Sequence, residues 1–473
     1  MNNAKTKKLW LLAGVLAVLC LITFGVSRIE HKKEDVQING STILSIPVST
    51  VTSFSLDQLD GPHLSFHKEG DHWINDDDKH FPASTQKIEH LLEQFEDFSA
   101  GFTIDDVKDL GQYGLDKPNA TLTLKAGEKE YTIKMGNFSK MDNQRYVSIG
   151  DDKVYLAIKD PMDTLDVSTR ELIQNVSIPS FDDVTSITFA GDDNYTIQHV
   201  DEGGVTYRPE DVWFAKIDGN MEPLDPDSVD DYISSLSTTF LGNYSKYYVD
   251  SKGLSEYGLD KPELTVTVHY LDDDNQAGTF TLYVSRDPKE LKAAENENQE
   301  KQGDHPITAY ARVEGSDIVY ILDSGDYDKL SVYQFNDLRH KQVLPANVED
   351  ISQVEFYIDH TPYLFTSSGT DDQMKWKYNE IDVNAQEFEK ALTSVTVNQF
   401  TDEKPANKLE LSYKVTLKDD DQTELKIEIY RYDGDNCLAV VDGSPVGLVT
   451  RSKVVDLTET INSIVLNTEQ RQS

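Results

Sequence analysis

Apolar and polar residues alternate with a period of two along much of this chain, and the alternating runs come in pairs. Three passages, LSFHKEGDHWIND, YTIQHVDEGGVTYRPEDVWFAKIDG and YLFTSSGTDDQMKWKYNE, each read as a strand, a polar turn and a second strand carrying Trp73, Trp213 or Trp376. The spacing then changes to that of a helix. FPASTQKIEHLLEQFEDF offers Ser84 or Thr85 as N-cap and places Ile88, Leu91, Leu92 and Phe95 on one face. PLDPDSVDDYISSLSTTF offers Asp225 with Pro226 at the first helical position, and Val229, Tyr232, Ile233 and Leu236 follow at helical spacing. IDVNAQEFEKALTSV offers Asn384 as the third cap.

Each helix pattern gives way to another pair of strands: TLTLKAGEKEYTIKMG, TVTVHYLDDDNQAGTFTLYV and SYKVTLKDDDQTELKIEIY, with polar turns in the same place. A closing pair ends each set: YVSIGDDKVYLA, YARVEGSDIVYIL and LAVVDGSPVGLVT. The same order three times predicts an α+β chain of three tandem repeats of a mainly antiparallel β-hairpin module, each with one covering helix. The boundaries fall at 46–175, 176–343 and 344–473, with a charged insertion at 286–306 in the second module, read as a solvated excursion or disordered loop, and a divergent third. A chain of 473 residues is too long for one core and suits this division.

YGLDKP occurs at Tyr113 and again at Tyr257. A catalytic motif needs one copy, whereas a structural turn needs one per domain. Gly114 and Gly258 suit a left-handed backbone, Pro118 and Pro262 bar helix continuation, and Tyr113 and Tyr257 suit packing anchors. The motif therefore closes a helical turn and launches a strand. The third module keeps only TDEKPANKLELSYKV at the equivalent place.

Before the first module, residues 9–26 form an uncharged run of 18 behind Lys5, Lys7 and Lys8, just long enough to span a bilayer. No Ala-x-Ala-like cleavage site ends it, so the expectation is an uncleaved signal anchor. The N-terminal tail (1–8) is then cytoplasmic, residues 27–45 form a juxtamembrane linker, and the bulk of the chain is an extracytoplasmic part of a single-pass cell-membrane protein. A 38% hydrophobic and 10% aromatic content suits folded cores rather than disorder. The net charge of −40 argues against nucleic acid as a partner. With Cys20 in the apolar run, Cys437 has no intramolecular partner, and GDNCLAVV reads as the start of a strand.

Candidate chemistry is sparse. His63, His67, His72 and Asp76 share one sheet face if KEGD is the turn, with His67 opposite His72 and His63 opposite Asp76, and three imidazoles with a carboxylate suit zinc. Solvated histidines on an open sheet face are the plainer explanation. STQK at 84–87 matches Ser-x-x-Lys, but no Lys-Thr-Gly or Ser-Asp-Asn accompanies it, and an N-cap serine accounts for Ser84. The aspartate triplets at 76–78, 272–274 and 419–421 do not continue as EF-hand loops and suit turns. The expectation is no catalytic residue and no cofactor.

The tandem YGLDKP-then-strand arrangement, the N-terminal anchor and the transition FNDLRHKQVLPANVEDISQVEF resemble the bacterial family called domain of unknown function 4340. No catalytic residues are known for that family, so the resemblance carries none over. It does imply an accessory role at the cell envelope, because members are often encoded beside a gliding-motility-type ABC export system. Two functional classes stand: a non-enzymatic interaction module whose partner is an envelope protein or ABC transporter subunit, and a binding protein for a small molecule, cation or glycan.

Overall fold

The computed structural model describes residues 40–201, 206–217, 219–296, 306–358, 361–369 and 374–472. The expected tail (1–8), the anchor (9–26), most of the linker and part of the insertion lie outside the described residues. Among the described residues no helix is long and apolar enough to cross a membrane. The chain divides into two compact units between Asn175 and Val176.

The first unit holds one nine-stranded sheet made of β1 (Ser41–Leu44), β2 (Val51–Gln58), β3 (His63–Glu69), β4 (His72–Asn75), β5 (Phe98–Ile104), β6 (Ala120–Ala126), β7 (Lys129–Ser139), β8 (Gln144–Ser148) and β9 (Val154–Ala157). The second unit holds two more. One comprises β10 (Asp183–Ala190), β11 (Tyr195–His199), β12 (Trp213–Ile217), β13 (Asn220–Pro223), β14 (Tyr244–Lys246), β15 (Leu264–Leu271), β16 (Ala277–Arg286), β17 (Ala309–Val313) and β18 (Val319–Leu322). The other comprises β19 (Ile351–Ile358), β20 (Thr361–Ser368), β21 (Lys375–Tyr378), β22 (Ile381–Asp382), β23 (Val397–Phe400), β24 (Leu409–Leu417), β25 (Glu424–Arg431), β26 (Asn436–Val441) and β27 (Ser444–Thr450).

The second and third sheets have the same order across the sheet, β13-β12-β11-β10-β15-β16-β17-β18-β14 and β22-β21-β20-β19-β24-β25-β26-β27-β23. The first sheet, β4-β3-β2-β6-β7-β8-β9-β5-β1, follows the same succession, lacks the short fourth strand and gains β1 beyond β5. Irregularities coincide as well. The ladder joining the first hairpin to the second slips at Val51/Ser53, Val184/Ser186 and Ile351/Gln353. The ladder to the edge strand slips at Ala100/Phe102, Tyr244/Lys246 and Val397/Gln399. A bulge adds local twist at a defined point, and these slips fall at matching points in the three sheets.

Helices cover the apolar faces as the spacing predicts. Thr85–Glu93 buries Ile88, Leu91 and Leu92, and Pro226–Thr238 buries Val229, Tyr232 and Leu236 while Ile233 stays half-buried. In Ala385–Thr393, Phe388 packs its ring on Phe356, Phe365 and Trp376. Trp73, Trp213 and Trp376 are all buried.

Two expectations need correction. The third sheet has a second covering helix, Arg451–Gln472, whose Val454, Leu457, Ile461, Ile464 and Val465 enter the core. The insertion is not all solvated loop: Arg286 ends β16, and Pro288–Asn296 is a helix. The Asp287 carboxylate accepts from the backbone N–H groups of Lys289 and Glu290, and Pro288 occupies the first helical position, so the turn is capped at low entropic cost.

Within the second unit, the segment between its two sheets is tied to both. Leu338 accepts a backbone bond from Asp225 N–H, Val343 donates to Val395, and Val397 donates to Lys341. The buried Arg208 donates to Asn347 Oδ1 (2.8 Å), Gln342 Oε1 (2.9 Å) and the Leu344 carbonyl (2.8 Å), while Tyr207 and Ala346 form a parallel bridge. The buried Asp211 carboxylate lies 2.8 Å from His340 Nε2, and the Arg339 guanidinium covers the Phe400 ring at 4.1 Å. Val343, Leu344 and Ala346 belong to the core of the third sheet.

Candidate functional site

The YGLDKP residues form the same turn twice. Gly114 (φ +70°) and Gly258 (φ +72°) end the short helices Gly111–Tyr113 and Gly253–Tyr257 in the left-handed conformation. The following leucines, both buried, donate back to the helix start: Leu115 to Leu110 and Leu259 to Leu254, each at 3.0 Å. This is the 6→1 closure of a glycine-terminated helix, and in the second copy Leu254 and Leu259 share one core cluster. Tyr113 packs on Tyr146 of β8 and Tyr257 on Tyr310 of β17, with ring centroids 5.0 and 4.9 Å apart. Pro118 and Pro262 then lead into β6 and β15. No reactive group is assembled here, and residues 401–408 join β23 to β24 without a helical turn.

The four candidate metal ligands share one sheet face, but not in the expected register. Gly70 takes φ +64°, which allows a two-residue turn and extends the ladder, so Glu69 faces His72 and His67 faces Ile74. The slip is by two residues and leaves the faces unchanged, with Leu64, Phe66 and Trp73 buried opposite. His67 Nδ1 lies 2.5 Å from Asp76 Oδ1, and Asp76 also accepts from the Ser65 hydroxyl. His63 instead pairs with Asp57 at 2.6 Å, and His72 is exposed. Among the described residues no group of three or more His, Cys, Asp and Glu is placed to hold a metal ion.

The hydrogen bond to Asp76 raises the His67 pKa above its ordinary value. For Asp76, partial burial opposes ionisation, but bonds from Ser65 and His67 outweigh it and hold the carboxyl below its usual range. The Asp76 carboxylate is thus shared between the Ser65 hydroxyl and the His67 imidazole.

Ser84 is the N-cap of its helix and accepts from the Lys87 backbone, while Lys87 Nζ donates to the Ile173 carbonyl at 3.0 Å. Asn384 caps its helix by accepting from Glu387 N–H. The aspartate turns are held by local bonds: Asp272 accepts from Asp274 and Gln276, and Asp419 from Thr423. Cys437 is a fully buried residue of β26, and burial, reinforced by Glu410, pushes its thiol up to about 12. It is unreactive at neutral pH.

The feature that sequence reasoning missed is a groove of about 970 Å³ in the first unit. Its walls come from the end of the helix Thr85–Glu93 and the start of β5, from the β7–β8 turn, and from the segment after β9. Phe138, 39% exposed, and the half-buried Ile158 supply apolar surface above the buried Phe98. Glu93, Glu96, Asp97, Asp160 and Asp163 supply carboxylates, and Lys159 is the one Lys or Arg among the lining residues. Asp160 is already neutralised by the buried Arg145, which binds both its oxygens at 2.6 and 2.9 Å. Three separated segments build the groove, so no local motif announces it.

A family model described as Domain of unknown function (DUF4340) matches the chain twice, over residues 73–242 and 213–412. The matches begin at Trp73 and Trp213, equivalent positions in the first two sheets, and each runs on into the next sheet. No curated protein and no solved structure matches the chain.

Proposed function

Because the chain belongs to the DUF4340 family, whose description carries no activity, its role has to be read from its architecture, and we propose that it is a non-enzymatic interaction module. In this reading the three sheets are tandem copies of one module, anchored to the cell membrane by residues 9–26 with the copies outside the cytoplasm. The partner is an envelope protein, such as a subunit of a gliding-motility-type ABC transport system. The observation that carries the reading is the shared strand succession with coincident bulges. Architecture is repeated, whereas candidate chemistry is not: the His67–Asp76 pair has no counterpart at the corresponding Gln198 or Thr366.

The groove favours a second reading, capture of a small molecule, cation or glycan. A ligand-dependent rise in thermal midpoint would support it. The interaction reading is tested by affinity purification of the full-length chain from solubilised membranes, beside a chain lacking residues 46–473. Recovery of the same membrane proteins with the full chain alone supports it; identical recovery from both chains contradicts it.

A further inference from the structure

We propose that the groove of the first unit docks a basic, extended peptide segment of the partner protein; this rests on the interaction-module reading above and names the chemistry of its contact. The groove, at about 970 Å³, is at the upper end of the range for ligand sites. Its charge is unbalanced in a specific way. Glu96 accepts from the Val48 backbone N–H, and Asp97 from the hydroxyls of Thr42 and Ser99. These donors are neutral, so neither carboxylate is paired with a cation through them. No lysine or arginine of the described residues forms an ion pair with Glu96, Asp97 or Asp163.

The carboxylates do not converge on a point that would hold a metal ion. They are distributed along walls that also present Phe138 and the half-buried Ile158. Charges spread beside apolar surface match a chain carrying ammonium or guanidinium groups on apolar stems, since such side chains bury their methylenes while their heads meet carboxylates. The half-exposed Phe138 ring is already stacked by the Arg145 guanidinium, 5.7 Å from its centroid, and its open side can take a second cation.

The test is fluorescence anisotropy of labelled hexalysine with the full-length chain in detergent. The groove variant carries Glu96→Gln, Asp97→Asn and Asp163→Asn, which keep acceptor oxygens in place. A control removes the same charge at turns of the second unit through Asp273→Asn, Asp420→Asn and Asp421→Asn. The groove variant is expected to bind about tenfold more weakly and the control within about twofold of the parent, as three contacts of moderate strength imply. Phe138→Ala, which changes no charge, is expected to weaken binding severalfold and covers the case in which the triple variant misfolds. Equal weakening by groove and control variants would show nonspecific attraction to an acidic protein and overturn the proposal, as would no binding. If the groove variant still recovers the cellular partner, the groove assignment fails while the interaction reading stands.

Discussion

Tyr413 places a hydroxyl in the core of the third sheet where it has no hydrogen-bond partner, against Phe356. An unmade bond on a buried polar group costs stability, so Tyr413→Phe is expected to stabilise the chain by about 1 kcal/mol in chemical denaturation; a loss of stability would mean the hydroxyl has a partner. Trp73 shows how neighbours redistribute bonds. Trp376 Nε1 donates to Glu389, but in the first sheet Glu89, on the corresponding helix, is taken by Lys68, and Trp73 Nε1 is left unpaired. The His67–Asp76 pair gives a pH signature. His67 is raised above 6.5, so its contribution is complete below that pH and fades as pH rises through the folded value. Asp76 is lowered from 3.8, so its contribution is complete above that pH and fades as acid titrates the folded form. The pair therefore acts fully between these limits. An NMR titration of His67 should show a raised midpoint that falls in Asp76→Asn; an unchanged midpoint would contradict the pairing.

At the scale of elements, turns carry the information that the alternating pattern lacks. Adding a side chain at Gly258 would bring its Cβ 2.5 Å from Ser285 Oγ as well as strain the left-handed backbone, and at Gly114 the clash is with Asn137. Gly258→Ala is expected to cost about 1–2 kcal/mol or more by equilibrium unfolding, and a neutral result would contradict the turn assignment. Hairpins, Trp strands, three covering helices and the YGLDKP turn were legible from period and punctuation. The His67 register was not, because Gly70 permits a two-residue turn where the sequence also allows four. The helix Arg451–Gln472 was missed although Val454, Leu457, Ile461 and Ile464 recur at helical spacing, since the run follows directly on the strand pattern of β27. The insertion helix announced itself only by Asp287 followed by Pro288.

At the scale of the molecule, the succession of strands was readable but their order across each sheet was not, because pairing across the sheet depends on contacts distant in sequence. The groove was hidden for the same reason, being built from three segments of one unit. The second unit's two sheets share a strap centred on Arg208, and the parent is expected to unfold that unit in one transition. Arg208→Ala leaves three acceptors unpaired and should lower its stability by about 3 kcal/mol and separate the unfolding of the two sheets; one transition at the parent midpoint would contradict that role. Photo-crosslinking in the living cell, with the reactive side chain placed in turn at the exposed Phe102, Phe138, Phe240 and Leu364, asks whether this chain binds a partner rather than transforms a substrate. An adduct with a defined envelope protein is expected from a subset of these positions, retained in Ser84→Ala; no adduct at any position would rule out the interaction role.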